Sequence, residues 1–336
     1  MIQQAIARLI AGQNLDRTTA HGVMEQIMSG GATDAQIGGF LMALRAKGET
    51  VDEIAGFAEV MRAKSTPIQG GGEPMIDTCG TGGDASGTFN ISTAVAFVAA
   101  GAGCVVAKHG NRAMSSQCGS ADVLAELGVN VEAPPETVAN CLDEARIGFL
   151  FAPALHGAMK HAIGPRKELG TRTVFNVLGP LTNPAGAKRQ LIGVFAPELT
   201  EVMAGVLGAL GSTRAFVVHG SDGLDEITLT GPSQVSELAD GKVTTHNIAP
   251  TDFGIDLAPA AALKGGDLPQ NAAILTAVLD GGTGPCTDVV VLNAAAAITA
   301  AGLASDIADG VDKARASLSS GQARQALDKL VEVSNR

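Results

Sequence analysis

The chain has 336 residues, and a hydrophobic content of 46% is enough for one large domain or two of ordinary size with a real core. Acidic residues outnumber basic ones by 34 to 23, and the net charge of -11 argues against a nonspecific nucleic-acid or anionic-membrane surface. The five cysteines lack a CxxC pair or zinc-finger spacing, which favours reduced, buried thiols over a disulfide framework or a structural zinc site.

The first 65 residues predict a small helical domain. Apolar residues recur with the helical period over 2–11, 17–28, 34–46 and 51–63, and Asp34 and Thr50 are candidate N-caps. The N-terminal segment lacks the basic start, the long apolar core and the small-residue cleavage site of a secretory signal. The longest apolar stretches, such as 289–301, are too short to cross a bilayer. We therefore expect a soluble, cytoplasmic protein.

A Pro/Gly hinge at 66–74 ends the helical part, and short apolar runs then alternate with helical segments. Strands or buried segments are predicted at 73–78, 103–109, 147–153, 191–197, 214–220 and 288–292, and helices at 94–102, 120–127, 135–145, 199–210 and 271–279. Residues 231–248 predict a polar-faced hairpin that turns at Asp240 and Gly241, and the Ala-rich tail predicts tightly packed helices. Continuous apolar strands between helices indicate an α/β domain whose mostly parallel central sheet is covered by helices.

The stretch "DTCGTGGDASGTFNIST" (77–93) contains a glycine-rich loop that follows the first strand. Residues 80–85 fit the loose dinucleotide pattern GxGxxA, but the next strand ends in Lys108 and His109 rather than in the acid that holds a ribose. A P-loop is excluded because GK is nowhere followed by Ser or Thr. An anion site at the start of the following helix remains, with a flexible loop and an ordinary N-cap as the alternative.

The segment 108–128 repeats this arrangement after the next strand. "KHGNR" is followed by Ser115, Ser116 and Ser120 before a helix, so a second phosphate cradle is predicted beside the first. Basic residues are concentrated in 104–119 and 156–189, where Glu168 is the only acid. The alternative is a capped helix and a solvated basic face.

The turn "HGSDGLDEIT" (219–228) places Asp222, Asp225 and Glu226 after another strand. Carboxylates near phosphates are the hard oxygen ligands of Mg²⁺, although an acidic turn without a metal is common. Because ligands of parallel sheets bind beyond the carboxyl ends of the strands, we expect this turn, the glycine loop and "KHGNR" on one rim.

The segment 156–185 supplies His156, Arg166 and Arg172. An arginine can bind a planar carboxylate through two parallel hydrogen bonds, whereas a histidine on a helical face is more often packed than catalytic.

Six motifs, in order, resemble those of the anthranilate phosphoribosyltransferases of tryptophan biosynthesis: "DTCGTGGD", "FNIST", "KHGNR", "SSQCGSADVL", "RKELGTRTVFNVLGPLTNP" and "DGLDE". The resemblance covers essentially the whole chain. It implies Mg²⁺-dependent attack of anthranilate on phosphoribosyl pyrophosphate by a cytoplasmic homodimer that binds neither nucleic acid nor membrane. It also implies a dimerising helical domain at 1–65 with a returning segment near 165–185, a hinge at 66–74, and an α/β domain at 73–164 and 186–336.

The resemblance also assigns site residues. Phosphoribosyl pyrophosphate would be bound by Gly80, Gly83, Asp84, Thr88, Asn90, Ile91, Ser92, Thr93, Lys108, Asn111, Arg112, Ser115, Ser116 and Ser120. Anthranilate would be bound by Gly80, His109, Asn111, His156 and Arg166, and Mg²⁺ by Ser92, Asp225 and Glu226. Three departures from the family affect the loop and the entry channel: Gln117 replaces a basic residue, Ala113–Met114 replaces Ser–Val, and Gly157 replaces a proline.

The expected catalytic residues are Lys108, Arg166 and His109. Lys108 would add positive charge or hold the 5'-phosphate, Arg166 would orient anthranilate, and His109 would accept a late proton. One rival is a pyrimidine-nucleoside phosphorylase, which would use free phosphate without Mg²⁺. Another is a non-catalytic nucleic-acid-binding paralogue, against which the net charge and the Asp225–Glu226 pair argue.

Overall fold

The computed structural model describes residues 1–113 and 118–336. Its helices are α1 (Ile2–Ile10), α2 (Arg17–Met28), α3 (Asp34–Lys47), α4 (Val51–Ala63), α5 (Ile91–Gly101), α6 (Ser120–Glu126), α7 (Pro135–Glu144), α8 (Ala152–Leu155), α9 (Lys160–Leu169), α10 (Phe175–Leu178), α11 (Glu198–Ala209), α12 (Leu268–Leu279), α13 (Pro285–Ala300), α14 (Ile307–Ser319) and α15 (Gln322–Ser334). Its strands are β1 (Met75–Gly80), β2 (Val105–Gly110), β3 (Ile147–Phe151), β4 (Arg189–Gly193), β5 (Arg214–Gly220), β6 (Ser233–Ala239) and β7 (Lys242–Ile248). Within these two ranges, no helix has the length and apolar character needed to cross a membrane.

Helices α1 to α4 form the predicted N-terminal helical part. The cap prediction at Thr50 is confirmed, because its side chain accepts from the amide of Glu53 in a capping box. The cap prediction at Asp34 is wrong: Thr33 is the N-cap and accepts from the amide of Gln36. Asp34 is instead the first helical residue, where a carboxylate interacts favourably with the helix dipole.

The sheet has the strand order β3-β2-β1-β4-β5-β6-β7. The pairs from β3 to β5 are parallel, and β6 and β7 are added antiparallel. The mostly parallel sheet is therefore confirmed. So is the hairpin: Asp240 and Gly241 have φ angles of 51° and 72°, as a two-residue turn between twisted strands requires.

The possible strand at 288–292 is wrong, because these residues lie inside α13. Every residue of α13 from Val289 to Ala300 is buried, so the helix shows no apolar stripe and its sequence cannot be distinguished from a buried strand by periodicity. The Ala-rich tail forms α13, α14 and α15, as predicted.

Two main apolar cores cover the two faces of the sheet. In one core, α5 and the C-terminal helices pack on residues such as Val106 and Phe216. In the other, α11 and the N-terminal helices share a core with Ile192 and Val217 from β4 and β5. Residues of α9 and α10 belong to this second core, so the chain returns to the helical part after β3.

Candidate active site

The site lies at the point in the sheet where the strand order reverses, between β1 and β4. β1 is central, the chain continues on one side to β2 and β3, and β4 and β5 lie on the other side. Ligands of open α/β sheets bind at such a switch point. Gly80 and Gly193 are paired there at the ends of β1 and β4.

Asp225 lies directly over these two glycines. A Cβ atom at Gly80 would be 2.6 Å from Oδ2 of Asp225, and one at Gly193 would be 1.5 Å from its carbonyl oxygen. Gly193 therefore needs glycine for a steric reason, and a side chain at Gly80 would displace the Asp225 carboxylate. The predicted meeting of the glycine loop and the acidic turn on one rim is confirmed.

The glycine loop, residues 81–90, joins β1 to α5. Gly82 and Gly83 have φ angles of +65° and +81°, which L side chains rarely adopt. The amide of Gly82 donates to Oδ2 of Asp225 at 2.9 Å. The far end of the loop is fixed by the buried ring of Phe89 and by a short antiparallel bridge between Thr88 and Lys264.

The start of α5 does not carry an ordinary side-chain cap. Asn90 occupies the N-cap position, but its side-chain amide donates to the carbonyl of Cys118 at 3.2 Å. The backbone amide of Ser92 is directed at the carboxylate of Glu226 instead. Ile91 and Thr93 are buried, and the Thr93 hydroxyl has no protein partner among the described residues.

Three carboxylates crowd this end of the sheet. Burial, together with the nearby charge of Asp84, raises the pKa of Asp225 to about 7. Burial and the charge of Asp225 raise the pKa of Glu226 well above its usual value, and burial also raises that of Asp84. The buried charge of Lys108 opposes the shift at Glu226 but does not cancel it, so the ionised forms of these carboxylates are only partly compensated.

The donor set fits Mg²⁺ held jointly by protein and substrate. Over residues 1–113 and 118–336, no three His, Cys, Asp or Glu side chains are arranged to hold a metal by themselves. Mg²⁺ commonly takes one or two carboxylates and completes its shell with water and substrate phosphates. A divalent cation beside Asp225 and Glu226 would favour their ionised forms and so oppose the rise that burial causes in their pKa values.

Lys108 lies below the rim rather than on its surface. Its side chain is 2% exposed, and Nζ donates to the carbonyl of Thr78 at 2.6 Å and to Oγ of Ser92 at 3.3 Å. Burial lowers its pKa, and the charges of Asp77 and Glu226 oppose that shift. Lys108 therefore contacts the predicted metal-binding Ser92 directly.

His109 and His156, both predicted to bind anthranilate, form one buried pair. Their Nε2 atoms are 3.1 Å apart, and Nδ1 of His109 is 3.2 Å from the carbonyl of Gly179. A carbonyl only accepts, so Nδ1 of His109 carries a proton, and its Nε2 accepts from Nε2–H of His156. Burial lowers the pKa of His109 to about 3 and that of His156 to about 4, which opposes proton uptake by His109.

Arg166 lies over the ring of Phe175, with 5.1 Å between the guanidinium carbon and the ring centre. Burial lowers its pKa. In the described part of the chain its guanidinium makes neither a hydrogen bond nor an ion pair. Its donors are therefore available to a ligand.

The loop after β2 is only partly described. Ser115 and Ser116, with the departures at Met114 and Gln117, lie outside the described residues. Asn111 is exposed, and its carbonyl accepts from the hydroxyl of Ser120 at 3.3 Å. Arg112 forms ion pairs with Asp122 and Glu132, at 3.2 Å and 3.0 Å, which account for its charge. Gly157 is exposed at the start of a 3-10 turn.

Two contributors were given no site role from the sequence, although Arg172 was named there as a candidate. Asp77 is fully buried in β1 and accepts from the amide of His109 at 3.1 Å. The sequence feature that could have identified it is an acidic residue inside an apolar strand. Arg172 donates to the carbonyl of Gly83, a contact between distant segments that no local pattern encodes.

Two family models match the chain: the helical bundle domain of a glycosyl transferase family at residues 3–65, and its a/b domain at residues 72–324. The anthranilate phosphoribosyltransferase of Moorella thermoacetica is 55% identical over 331 residues, which cover 98% of each chain.

Solved structures agree. The crystal structure of the anthranilate phosphoribosyltransferase from Thermus thermophilus superposes with a TM-score of 0.93 at 44% identity, covering 99% of both chains. The Saccharomyces cerevisiae enzyme in complex with phosphoribosyl pyrophosphate and Mg gives a TM-score of 0.89 at 28% identity, covering 99% of this chain and 98% of that one. The same yeast enzyme has been solved with 4-fluoroanthranilate, with a TM-score of 0.88, 27% identity and the same coverage.

Proposed function

This chain belongs to the anthranilate phosphoribosyltransferases of the glycosyl transferase family, and on that basis we propose how its rim carries out the reaction. The enzyme transfers the phosphoribosyl group of phosphoribosyl pyrophosphate to the amino group of anthranilate, a step of tryptophan biosynthesis. The fold class and the family expected from the six motifs are confirmed.

One observation carries the assignment of the phosphoribosyl pyrophosphate site. The glycine loop and the Asp225–Glu226 turn meet at the switch point, where the amide of Gly82 donates to Asp225 at 2.9 Å. Close-approaching backbone amides and paired carboxylates are what a magnesium-bound pyrophosphate requires.

Asp225, Glu226 and Ser92 would hold Mg²⁺ in this chain. The ion would supply positive charge that stabilises the departing pyrophosphate. The relatives solved with Mg support this proposal. So does the crowding of three carboxylates whose charge Lys108 compensates only in part.

Bond breaking leaves an oxocarbenium-like sugar carbon beside a multiply charged leaving group. The chain's own part is to bind that anion with glycine-loop amides and with the start of α5, in a site already arranged before the reaction. Lys108 adds positive charge beneath the site through Ser92, because its Nζ lies 3.3 Å from the Ser92 hydroxyl.

Placement of the acceptor falls to Arg166, which would bind the carboxylate of anthranilate and bring its amine to the sugar carbon. Effective molarity can contribute about 7 to 11 kcal/mol in ideal cases. The neutral aniline nitrogen needs little base assistance. We keep His109 as the candidate for late proton acceptance, although its pKa of about 3 weakens that role, and His156 as its hydrogen-bond donor.

We propose a cytoplasmic homodimer formed through the helical part. Exposed apolar side chains lie on its surface: Ile10 of α1 is 75% exposed, Met42 of α3 38% and Ile163 of α9 43%. α3 contacts both α1 and α9, so the three side chains belong to adjoining helices. Burial of these side chains against a second copy would remove their apolar surface from water.

A fluorescence assay tests the proposal. The protein is mixed with anthranilate, phosphoribosyl pyrophosphate and Mg²⁺, and the loss of anthranilate fluorescence is followed; the chain has no Trp or Tyr to interfere. Turnover that disappears on chelation of Mg²⁺ is expected. Phosphorolysis of a pyrimidine nucleoside without Mg²⁺ would support the phosphorylase alternative instead.

The double variant Asp225→Asn with Glu226→Gln tests the metal site. It keeps the side-chain shapes and removes two anionic ligands, so we expect turnover to be abolished. A wild-type rate at low Mg²⁺ would contradict the proposed ligands.

A further inference from the structure

Arg172, which lies in the motif "RKELGTRTVFNVLGPLTNP" but was given no site role from the sequence, contacts the glycine loop. Its Nη2 atom donates to the carbonyl of Gly83, and its guanidinium carbon lies 4.2 Å from the centre of the Phe195 ring. Phe195 is itself joined to the loop, because its amide donates to the hydroxyl of Thr81 at 3.1 Å. The guanidinium is therefore held on two sides by parts of the rim.

The backbone of Arg172 is held by the helical part. Nη1 of Arg45, in α3, donates to the carbonyl of Arg172 at 2.7 Å. Arg45 and Arg172 are separated by 127 positions in the chain. A continuous set of contacts thus runs from α3 through Arg172 to the loop.

The hydrogen bond to Gly83 fixes the direction of a peptide group. Because a trans peptide is planar, fixing the carbonyl of Gly83 also fixes the opposite direction for the N–H of Asp84. The loop needs this support, since Gly82 and Gly83 have positive φ angles and glycine offers many alternative conformations.

The charge of Arg172 is also uncompensated locally. The side chain is exposed, and within the described ranges it forms no ion pair with a carboxylate. It differs in this from Arg112, whose ion pairs with Asp122 and Glu132 account for its charge.

We propose that Arg172 is a positioning residue for phosphoribosyl pyrophosphate, which sets the shape of the glycine loop and links that shape to α3. This inference rests on the proposed function. Two arginines of one short segment would then have different roles. Arg166 would bind the anthranilate carboxylate, and Arg172, six positions later, would position the glycine loop.

Calorimetric titration of the folded protein with phosphoribosyl pyrophosphate and Mg²⁺, without anthranilate, tests this role. Arg172→Ala is expected to weaken binding about tenfold, the effect of losing one hydrogen bond from a charged donor. Arg172→Lys keeps the charge and one donor but loses the planar stack, so we expect partial rescue, to about threefold weaker binding. The apparent KM for anthranilate should change less than about twofold in both variants.

Arg214→Ala is the matched control. Arg214 also stacks on a phenylalanine, Phe216, at 5.6 Å, but it begins β5 at the edge of the sheet opposite to the rim. Binding of phosphoribosyl pyrophosphate should be unchanged in this variant.

The inference would be overturned if folded Arg172→Ala bound phosphoribosyl pyrophosphate with unchanged affinity, or if the variant weakened binding of phosphoribosyl pyrophosphate and raised the KM for anthranilate by the same factor. If Arg172→Ala does not fold, Arg172→Lys decides alone, and wild-type affinity there counts against the proposal. Absence of turnover by the wild-type protein would instead defeat the proposed function, so the two failures are distinguishable.

Discussion

His109 and His156 are kept neutral by burial, which lowers their pKa values to about 3 and about 4. An unfolded histidine has a pKa near 6.5, so below that pH the unfolded chain binds more protons than the folded one. The contribution of these two histidines to the free energy of unfolding therefore falls as the pH drops from about 6.5 towards 4, whereas the raised pKa values of Asp225 and Glu226 act in the opposite direction. Each histidine contributes a slope of up to about 1.4 kcal/mol per pH unit.

His156→Gln should remove one such contribution. We expect the slope of unfolding free energy against pH, measured by urea titration between pH 5 and 6.5, to be smaller by about 1 kcal/mol per unit than in the wild type. Slopes are compared because the variant also loses the hydrogen bond to His109, which shifts stability at every pH. Equal slopes would show that His156 titrates normally in the folded protein.

Arg166 tests the acceptor site. Arg166→Ala removes a guanidinium that the described protein leaves free of ion pairs, so we expect the apparent KM for anthranilate to rise about tenfold or more. The KM for phosphoribosyl pyrophosphate should change much less. Steady-state kinetics with each substrate varied in turn measure the two KM values. An equal rise in KM for both substrates would contradict the assigned role.

At the scale of elements, the junction of β1 and β4 depends on the absence of a side chain. Gly80→Ala would place a Cβ atom 2.6 Å from Oδ2 and 3.3 Å from Cγ of Asp225, so the carboxylate must move. A displacement of about 1 Å can cost roughly a hundredfold in rate, and we expect turnover to fall by about that factor and the Mg²⁺ requirement to rise.

Gly38→Ala is the control for this variant. Gly38 lies in α3, where no described residue outside its own helix backbone comes within 4 Å of an added Cβ, and alanine favours a helix interior by up to about 1 kcal/mol over glycine. Wild-type turnover is expected. Turnover of Gly80→Ala equal to that of Gly38→Ala would show that Asp225 tolerates the displacement.

The elements were predictable from the sequence where one physical signal dominated. Helical periodicity located α1 to α4, and Asp240–Gly241 located the hairpin turn, since both depend on neighbouring residues. Periodicity did not identify α13, because a completely buried helix has no alternation of apolar and polar residues. The cap of α3 was misplaced by one position, since Thr33 and Asp34 are both good capping residues.

The candidate site was predictable as a set of segments but not as a set of contacts. The strand-end rule brought the glycine loop and Asp225 to one rim. The burial of Lys108, the pairing of His109 with His156, and the bond from Arg172 to Gly83 connect distant positions. Such contacts follow from tertiary packing, which spacing along the chain does not express.

At the scale of the whole molecule, the exposed apolar side chains of the adjoining helices α1, α3 and α9 predict the association state. The double variant Ile10→Glu with Met42→Glu would bury unpaired charge in the proposed interface and should weaken dimerisation by roughly a hundredfold or more. Sedimentation velocity at micromolar concentration is expected to show a dimer for the wild type and a monomer for the variant.

Leu257→Glu is the matched control, since Leu257 is 56% exposed but lies outside these three helices. It should remain a dimer. A monomeric wild type would contradict the proposed homodimer, and a dimeric double variant would place the contact elsewhere.

The hairpin at the end of the sheet has a practical consequence. β6 runs away from the rim, because Gly220 is paired with Ser233 and Arg214 with Ala239, so the turn at Asp240 and Gly241 emerges on the far side of the α/β domain. β7 is the edge strand on this side of the sheet, and most of its side chains are polar and exposed. A dye or a surface tether attached at this turn would leave the substrate entrance unobstructed, which makes it a suitable handle for single-molecule work on the enzyme.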